Sequence, residues 1–246
     1  MRILFYIILA LNMIMTISCT TISHHKIPDQ DTNHLYKIAY NKLLQNNYTE
    51  AIQDLLYLKN LYLFEPCPQQ IYLDLIYAYY KSNDLTSANN CINHFLNVYP
   101  NHKNLDYVLY IHGIINMHLD RNNPFPLLIK HLYTCWFNHN PIHANIAFHS
   151  FSKLIQNYPN SQYAPDSYKR LIFLKNRIAY YKLAIIKFYD KKNAYISVIT
   201  RSEEMLRYFP DTQATYQALH YMRRAYQNIH LIDQANIINQ IITENQ

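Results

Sequence analysis

The chain has 246 residues and a formal charge of +6 from 22 Lys and Arg against 16 Asp and Glu; half of it is hydrophobic, and Gly113 is its only glycine. So little glycine argues against a fold rich in tight β-hairpins and against a glycine-rich phosphate loop, since both need backbone that a side chain obstructs. The basic residues are scattered, with pairs such as Lys191-Lys192 and Arg223-Arg224, which argues against a nucleic-acid surface.

Residues 1–18 read as a signal peptide. Arg2 precedes an apolar run, Ile3 to Met15, too short to span a bilayer, and Thr16-Ile17-Ser18-Cys19 follows. A small residue before a cysteine resembles a bacterial lipobox, which would make Cys19 the acylated first residue of the mature chain; ordinary signal cleavage and an uncleaved anchor are the alternatives. Thr20, where an aspartate would resemble an inner-membrane address, points to the outer membrane. Each buried acyl methylene adds about 0.8 kcal/mol of membrane affinity. Residues 19–32, with His24-His25 and Pro28, read as a flexible tether.

Beyond the tether a helix-turn-helix period emerges. Ala51, Ala88, Ala147 and Ala235 each open a helical apolar pattern, and Pro100 and Pro159 stand twelve positions after the second and third of them. A tetratricopeptide unit of about 34 residues fits this spacing, with the alanine as the small residue of its second helix. Repeat two is the best match, through Tyr72, Leu75, Tyr79, Leu85, Ala88, Ile92, Phe95 and Pro100; repeat one centres on Ala39 and Ala51, and repeat three on Gly113 and Ala147. Repeat four runs through Tyr189, Val198 and Pro210, and repeat five through Met222 and Ala235. Pro100, Pro159 and Pro210 end helices, and Asn101, Asn160 and Asp211 suit the turn or N-cap that starts the next. The expectation is an all-α solenoid of about five helix-turn-helix units. Its N-terminal half spans 33–160 (repeats one to three, with an insertion at about 120–140) and its C-terminal half 161–246 (repeats four and five).

Chemistry is sparse. His131, Cys135, His139 and His143 recur every four residues, a spacing that could ligate zinc on one helix, but Asn140-Pro141 interrupts it and suits a helix start. No metal site, cofactor or catalytic residue is therefore expected, and the odd set Cys67, Cys91 and Cys135 predicts no disulfide framework.

The stretches Leu73-Asp74-Leu75-Ile76-Tyr77-Ala78-Tyr79-Tyr80-Lys81, Phe151-Ser152-Lys153-Leu154, Tyr158-Pro159-Asn160-Ser161-Gln162-Tyr163 and Pro210-Asp211-Thr212-Gln213-Ala214-Thr215 resemble the BamD family of tetratricopeptide lipoproteins over essentially the whole mature chain. The resemblance implies a non-catalytic role in folding β-barrels into the outer membrane. It also implies docking on the periplasmic POTRA domains of an Omp85-type barrel subunit of the BamA kind, with further Bam lipoproteins as candidate partners. The family also carries a long insertion in repeat three; His112 and Asn145, where arginines are expected, and the rewritten sequence of that insertion from Asp120 to Asn140 depart from the family pattern. A peptidoglycan- or division-associated tetratricopeptide lipoprotein is the alternative.

Two sets of site residues follow. The groove-facing positions of repeats one to three hold Tyr36, Tyr40, Tyr77, Tyr80, Lys81, Tyr107 and Tyr110, an aromatic trough able to take the aromatic, carboxylate-terminated tail of an unfolded outer-membrane protein. The competing reading is that these tyrosines pack between helices or meet solvent. In repeats four and five the same positions include Tyr180, Lys187, Asp190, Lys191, His220 and Arg224, a polar surface suited to a different partner. The resemblance around Val198-Ile199-Thr200-Arg201 assigns Arg201 to a POTRA carboxylate, unless Glu203 or Glu204 holds it in a surface pair.

Overall fold

The computed structural model describes residues 29–62, 68–121 and 140–245. The signal peptide, Cys19, most of the tether and most of the 120–140 insertion, with His131, Cys135 and His139, lie outside the described residues.

The described chain is helical, in ten elements: α1 (Asp29–Leu44), α2 (Tyr48–Leu61), α3 (Gln69–Lys81), α4 (Leu85–Val98), α5 (Leu105–Arg121), α6 (Ile142–Asn157), α7 (Ala164–Lys191), α8 (Tyr195–Tyr208), α9 (Gln213–Asn228) and α10 (Ile232–Glu244). Each packs on the next in sequence; among the described residues α7 also packs against α9, and α3 touches α5 lightly, the first helices of successive hairpins side by side. Neighbours in sequence that are also neighbours in space make a linear stack, as the period predicts.

The small-residue positions explain the close approach within each hairpin. Ala39, Ala51, Ala88, Ala147 and Val198 are fully buried and Ala235 nearly so. Gly113 is the extreme case. A Cβ built on it would meet three atoms of the Phe151 ring at under 3.0 Å, so α5 and α6 approach as they do because the position has no side chain. Phe95, Phe151, Leu55, Leu58, Leu75, Ile92, Leu154 and Leu183 fill the interior, each contributing about 1.5–3 kcal/mol through burial.

Turn chemistry repeats as strictly as the core. Asn46, Asn83, Asn193 and His230 all adopt φ near +60°, the left-handed conformation that ends helices. In each case the following amide reaches back to the last helical turn: Asn47 N to Lys42 O, Asp84 N to Tyr79 O, Ala194 N to Tyr189 O and Leu231 N to Tyr226 O. Asparagine, which tolerates this region, does the work usually given to glycine. Between hairpins the Tyr-Pro and Phe-Pro junctions stop α4, α6 and α8, whose last bonds are Tyr99 N to Phe95 O, Tyr158 N to Leu154 O and Phe209 N to Met205 O, each 2.8 Å.

Of the two roles expected for Asn101, Asn160 and Asp211, turn or N-cap, the structure shows the turn; Thr212 caps α9, accepting from Thr215 N at 3.3 Å, and Asp211 pairs with Lys175 at 2.5 Å. Other local expectations need correcting. Pro141 stands at the N-cap position of α6, one residue later than the predicted Asn140 cap, since helical backbone begins at Ile142. Helix α1 starts at Asp29, inside the stretch expected as tether. Helix α7 is also longer than a repeat helix. Its first part, with Leu174 and Ile178, packs with Ile114 of α5 and with Ala144, Ala147 and Phe151 of α6, and its second part, with Leu183 and Ile186, joins the core of α8–α10.

Candidate partner-binding site

The predicted trough tyrosines fall on α1, α3 and α5. Tyr40 and Tyr77 are exposed, at 44% and 38%, while Tyr36, Tyr80, Tyr107 and Tyr110 are partly buried against the core. Tyr36 stacks on Tyr40 with ring centroids 6.2 Å apart, Tyr77 meets Tyr48 edge-on at 6.1 Å, and the Lys81 ammonium lies 6.0 Å from the Tyr77 ring. Tyr107 lies near enough to Tyr163, Tyr77, Asp74 and Tyr80 to feel their charges; burial and these neighbours push its phenol pKa up. Six of the seven residues thus form one neighbourhood across three helices. Tyr110 is drawn away: it stacks on Tyr163 at 4.7 Å, meets Phe151 edge-on and donates to Asp166 at 2.8 Å.

Two further groups shape the trough. Asp74, in the apolar run Leu73 to Ile76, is buried and accepts from Tyr36 Oη at 2.6 Å and Gln70 Nε2 at 2.9 Å. Burial raises its carboxyl pKa, and those two donors partly oppose the rise. Tyr163 supplies the ring that bridges Tyr107 and Tyr110. An acidic residue inside an apolar run was the available signal for Asp74; Tyr163 had none, since it lies beyond the repeat positions that face the groove.

Arg201 projects from α8 beside α7. Its guanidinium carbon sits 4.7 Å from the Tyr189 ring centroid, and Nη2 donates to Tyr189 Oη at 3.4 Å. Neither glutamate holds it. Glu203 accepts from Tyr226 Oη at 3.3 Å, and Glu204 pairs with Lys182 at 3.7 Å. Arg201 forms no ion pair with a carboxylate among the described residues, so a flat cation oriented by a tyrosine keeps its charge unneutralised.

Behind these surfaces α5, α6 and α7 share a buried polar layer. His112 bonds Ser150 Oγ at 2.9 Å; burial, with His149 nearby, lowers its imidazole pKa to about 4. Asn116 bonds Asn89 at 3.1 Å and His143 at 3.0 Å, so His143 serves a structural contact. Arg177, 1% exposed, donates to Asp120, 5% exposed, at 3.1 Å. No group of three or more potential metal ligands occurs among the described residues.

Stacked helical hairpins, with clustered tyrosines on α1, α3 and α5 and an oriented arginine on α8, define a helical-repeat protein, the class that presents extended surfaces to other chains. The chain belongs to the YfiO family of outer membrane lipoproteins, whose family model matches residues 28–241. It is similar to proteins named outer membrane protein assembly factor BamD. It is 37% identical to that of Vibrio cholerae (89% of each chain covered), 36% to that of Pasteurella multocida (89% of this chain, 82% of the relative) and 36% to that of Buchnera aphidicola (86% and 85%). Membership places it among lipid-anchored proteins of the outer membrane. Among the described residues no helix is long and apolar enough to cross a membrane.

Proposed function

We propose that this protein is a non-catalytic scaffold for assembling β-barrel proteins into the outer membrane, tethered through acylated Cys19 and docked on a POTRA domain of an Omp85-type partner through Arg201. The charge of Arg201 carries the proposal: its guanidinium lies against Tyr189 and neither nearby glutamate pairs with it, which suits capture of a partner carboxylate. The names of the relatives supply the context of outer-membrane protein assembly. Titrating the chain with isolated POTRA domains tests the docking. Arg201→Glu weakens binding by about 10- to 100-fold, as expected when a charge pair becomes a repulsion, with the helical circular dichroism retained; undiminished binding refutes the assignment.

The second half of the proposal is that Tyr36, Tyr40, Tyr77, Tyr80, Lys81 and Tyr107 receive the aromatic tail of an unfolded barrel protein, with Lys81 taking the terminal carboxylate. Tyr110, committed to Asp166 and Tyr163, stands outside this set. Joint replacement of Tyr77, Tyr80 and Lys81 abolishes binding of a barrel C-terminal peptide; unchanged affinity removes the trough from the account.

A further inference from the structure

A second cleft lies far along the chain from the tyrosine trough, between α7 and α9. It encloses about 500 Å³ and is lined by Lys187, Asp190 and Lys191 from α7 and by Gln217, His220, Tyr221 and Arg224 from α9. Arg201 does not line it.

The charges in this cleft are unevenly spent. Both Asp190 carboxylate oxygens are engaged by the Arg224 guanidinium, through Nε at 3.2 Å and through Nη2. Arg224 also lies over the Tyr221 ring at 5.3 Å, and His220 is set edge-on to Tyr216 at 5.4 Å. The only carboxylate of the cleft is thereby consumed. Lys187 and Lys191 have no carboxylate within 4.0 Å among the described residues. One helical turn apart, they place two ammonium groups on the same face, with Cβ atoms about 5–6 Å apart. An extended peptide advances about 3.3 Å per residue and returns to the same face every second residue, roughly 6.6 Å on. Acidic residues at alternate positions of an extended segment therefore match the lysine spacing.

We infer that the α7–α9 cleft is a binding site for an acidic, extended peptide segment of a partner protein, with carboxylates at alternate positions held by Lys187 and Lys191. This rests neither on the Arg201 docking nor on the tyrosine trough. The Arg224–Asp190 pair braces the cleft by joining its two walls. A concave slot between two helices favours an extended peptide over the flat anionic surface of a lipid bilayer.

The full mature chain is titrated with a fluorescent, end-blocked octapeptide carrying glutamates at alternate positions and with its all-glutamine counterpart; vesicles rich in phosphatidylglycerol form a separate arm. The acidic peptide binds and the glutamine peptide does not. Lys187→Gln/Lys191→Gln raises the acidic peptide's Kd about tenfold, or about 1.4 kcal/mol, and affinity falls with added salt. Arg201→Glu leaves this binding unchanged, which separates the site from POTRA docking. Circular dichroism confirms that the double variant folds. Equal binding of both peptides, an unchanged Kd in the folded double variant, or lysine-dependent binding to vesicles without binding of the acidic peptide overturns the inference.

Discussion

Replacing Gly113 by alanine sets two opposed effects against each other. Gly113 lies inside helix α5, where alanine is favoured over glycine by about 0.8–1 kcal/mol. Against this, the new methyl would meet Cζ, Cε1 and Cε2 of Phe151 at under 3.0 Å, where ordinary contact begins near 3.4 Å. The ring has no room to retreat: Phe151 is fully buried among Ile114, Ala144, Ala147, Leu174 and Ile178, with Tyr110 against its edge. Overpacking costs about 1–3 kcal/mol, and overlap with three ring atoms puts this case in the upper part of that range, about 2–3 kcal/mol, so Gly113→Ala destabilises by roughly 1–2 kcal/mol net of the helix-propensity gain. The assay is urea unfolding of four proteins: wild type, Gly113→Ala, Phe151→Leu and the double variant. Phe151→Leu removes the crowding, so alanine at 113 there becomes neutral or stabilising, and the cycle shows coupling of about 1.5 kcal/mol or more. A Gly113→Ala protein as stable as wild type, or the same cost in both backgrounds, refutes the close-approach reasoning.

Two further outcomes follow from the buried polar layer. Because the His112 pKa falls from 6.5 to about 4 on folding, the unfolded chain binds a proton there between those values that the folded chain does not. Stability therefore drops as pH falls from 6.5 and has lost about 3 kcal/mol from this group below pH 4. His112→Gln flattens the pH dependence of the urea midpoint across that window, and superimposable profiles contradict the assignment. Asp120→Asn weakens a pair that is 5% and 1% exposed and costs about 3–5 kcal/mol, whereas Asp120→Leu with Arg177→Met restores most of it; thermal denaturation of the three proteins decides, and a neutral single variant contradicts the pairing.

The stack was legible because its spacing is carried by residues with few alternatives. The small side chains Ala51, Ala88 and Ala147 fix where helices touch, and Pro100, Pro159 and Pro210 fix where they stop. The intra-hairpin turns were harder to see: Asn46, Asn83, Asn193 and His230 carry no proline or glycine mark, and three are asparagines in a chain rich in them. The length of α7 was hidden for a related reason. Residues 164–178 belong to no repeat position and are helical through packing on α5 and α6. At the candidate site, single positions could be named from the repeat but their partners could not. Asp74 beneath Tyr36 and Tyr189 beneath Arg201 are tertiary contacts between helices, and sequence spacing within one helix says nothing of them. The Glu203 and Glu204 alternative for Arg201 fails on geometry alone, since both carboxylates are engaged elsewhere.

The most direct measurement of the central claim is affinity purification of the chain from its native outer membrane, with mass spectrometry of what accompanies it, for wild type and Arg201→Glu in parallel. The account predicts an Omp85-type barrel protein with the wild type, depleted in the variant at equal chain abundance. Recovery of peptidoglycan- or division-associated proteins in its place, or an Omp85 partner retained in full by Arg201→Glu, would contradict it.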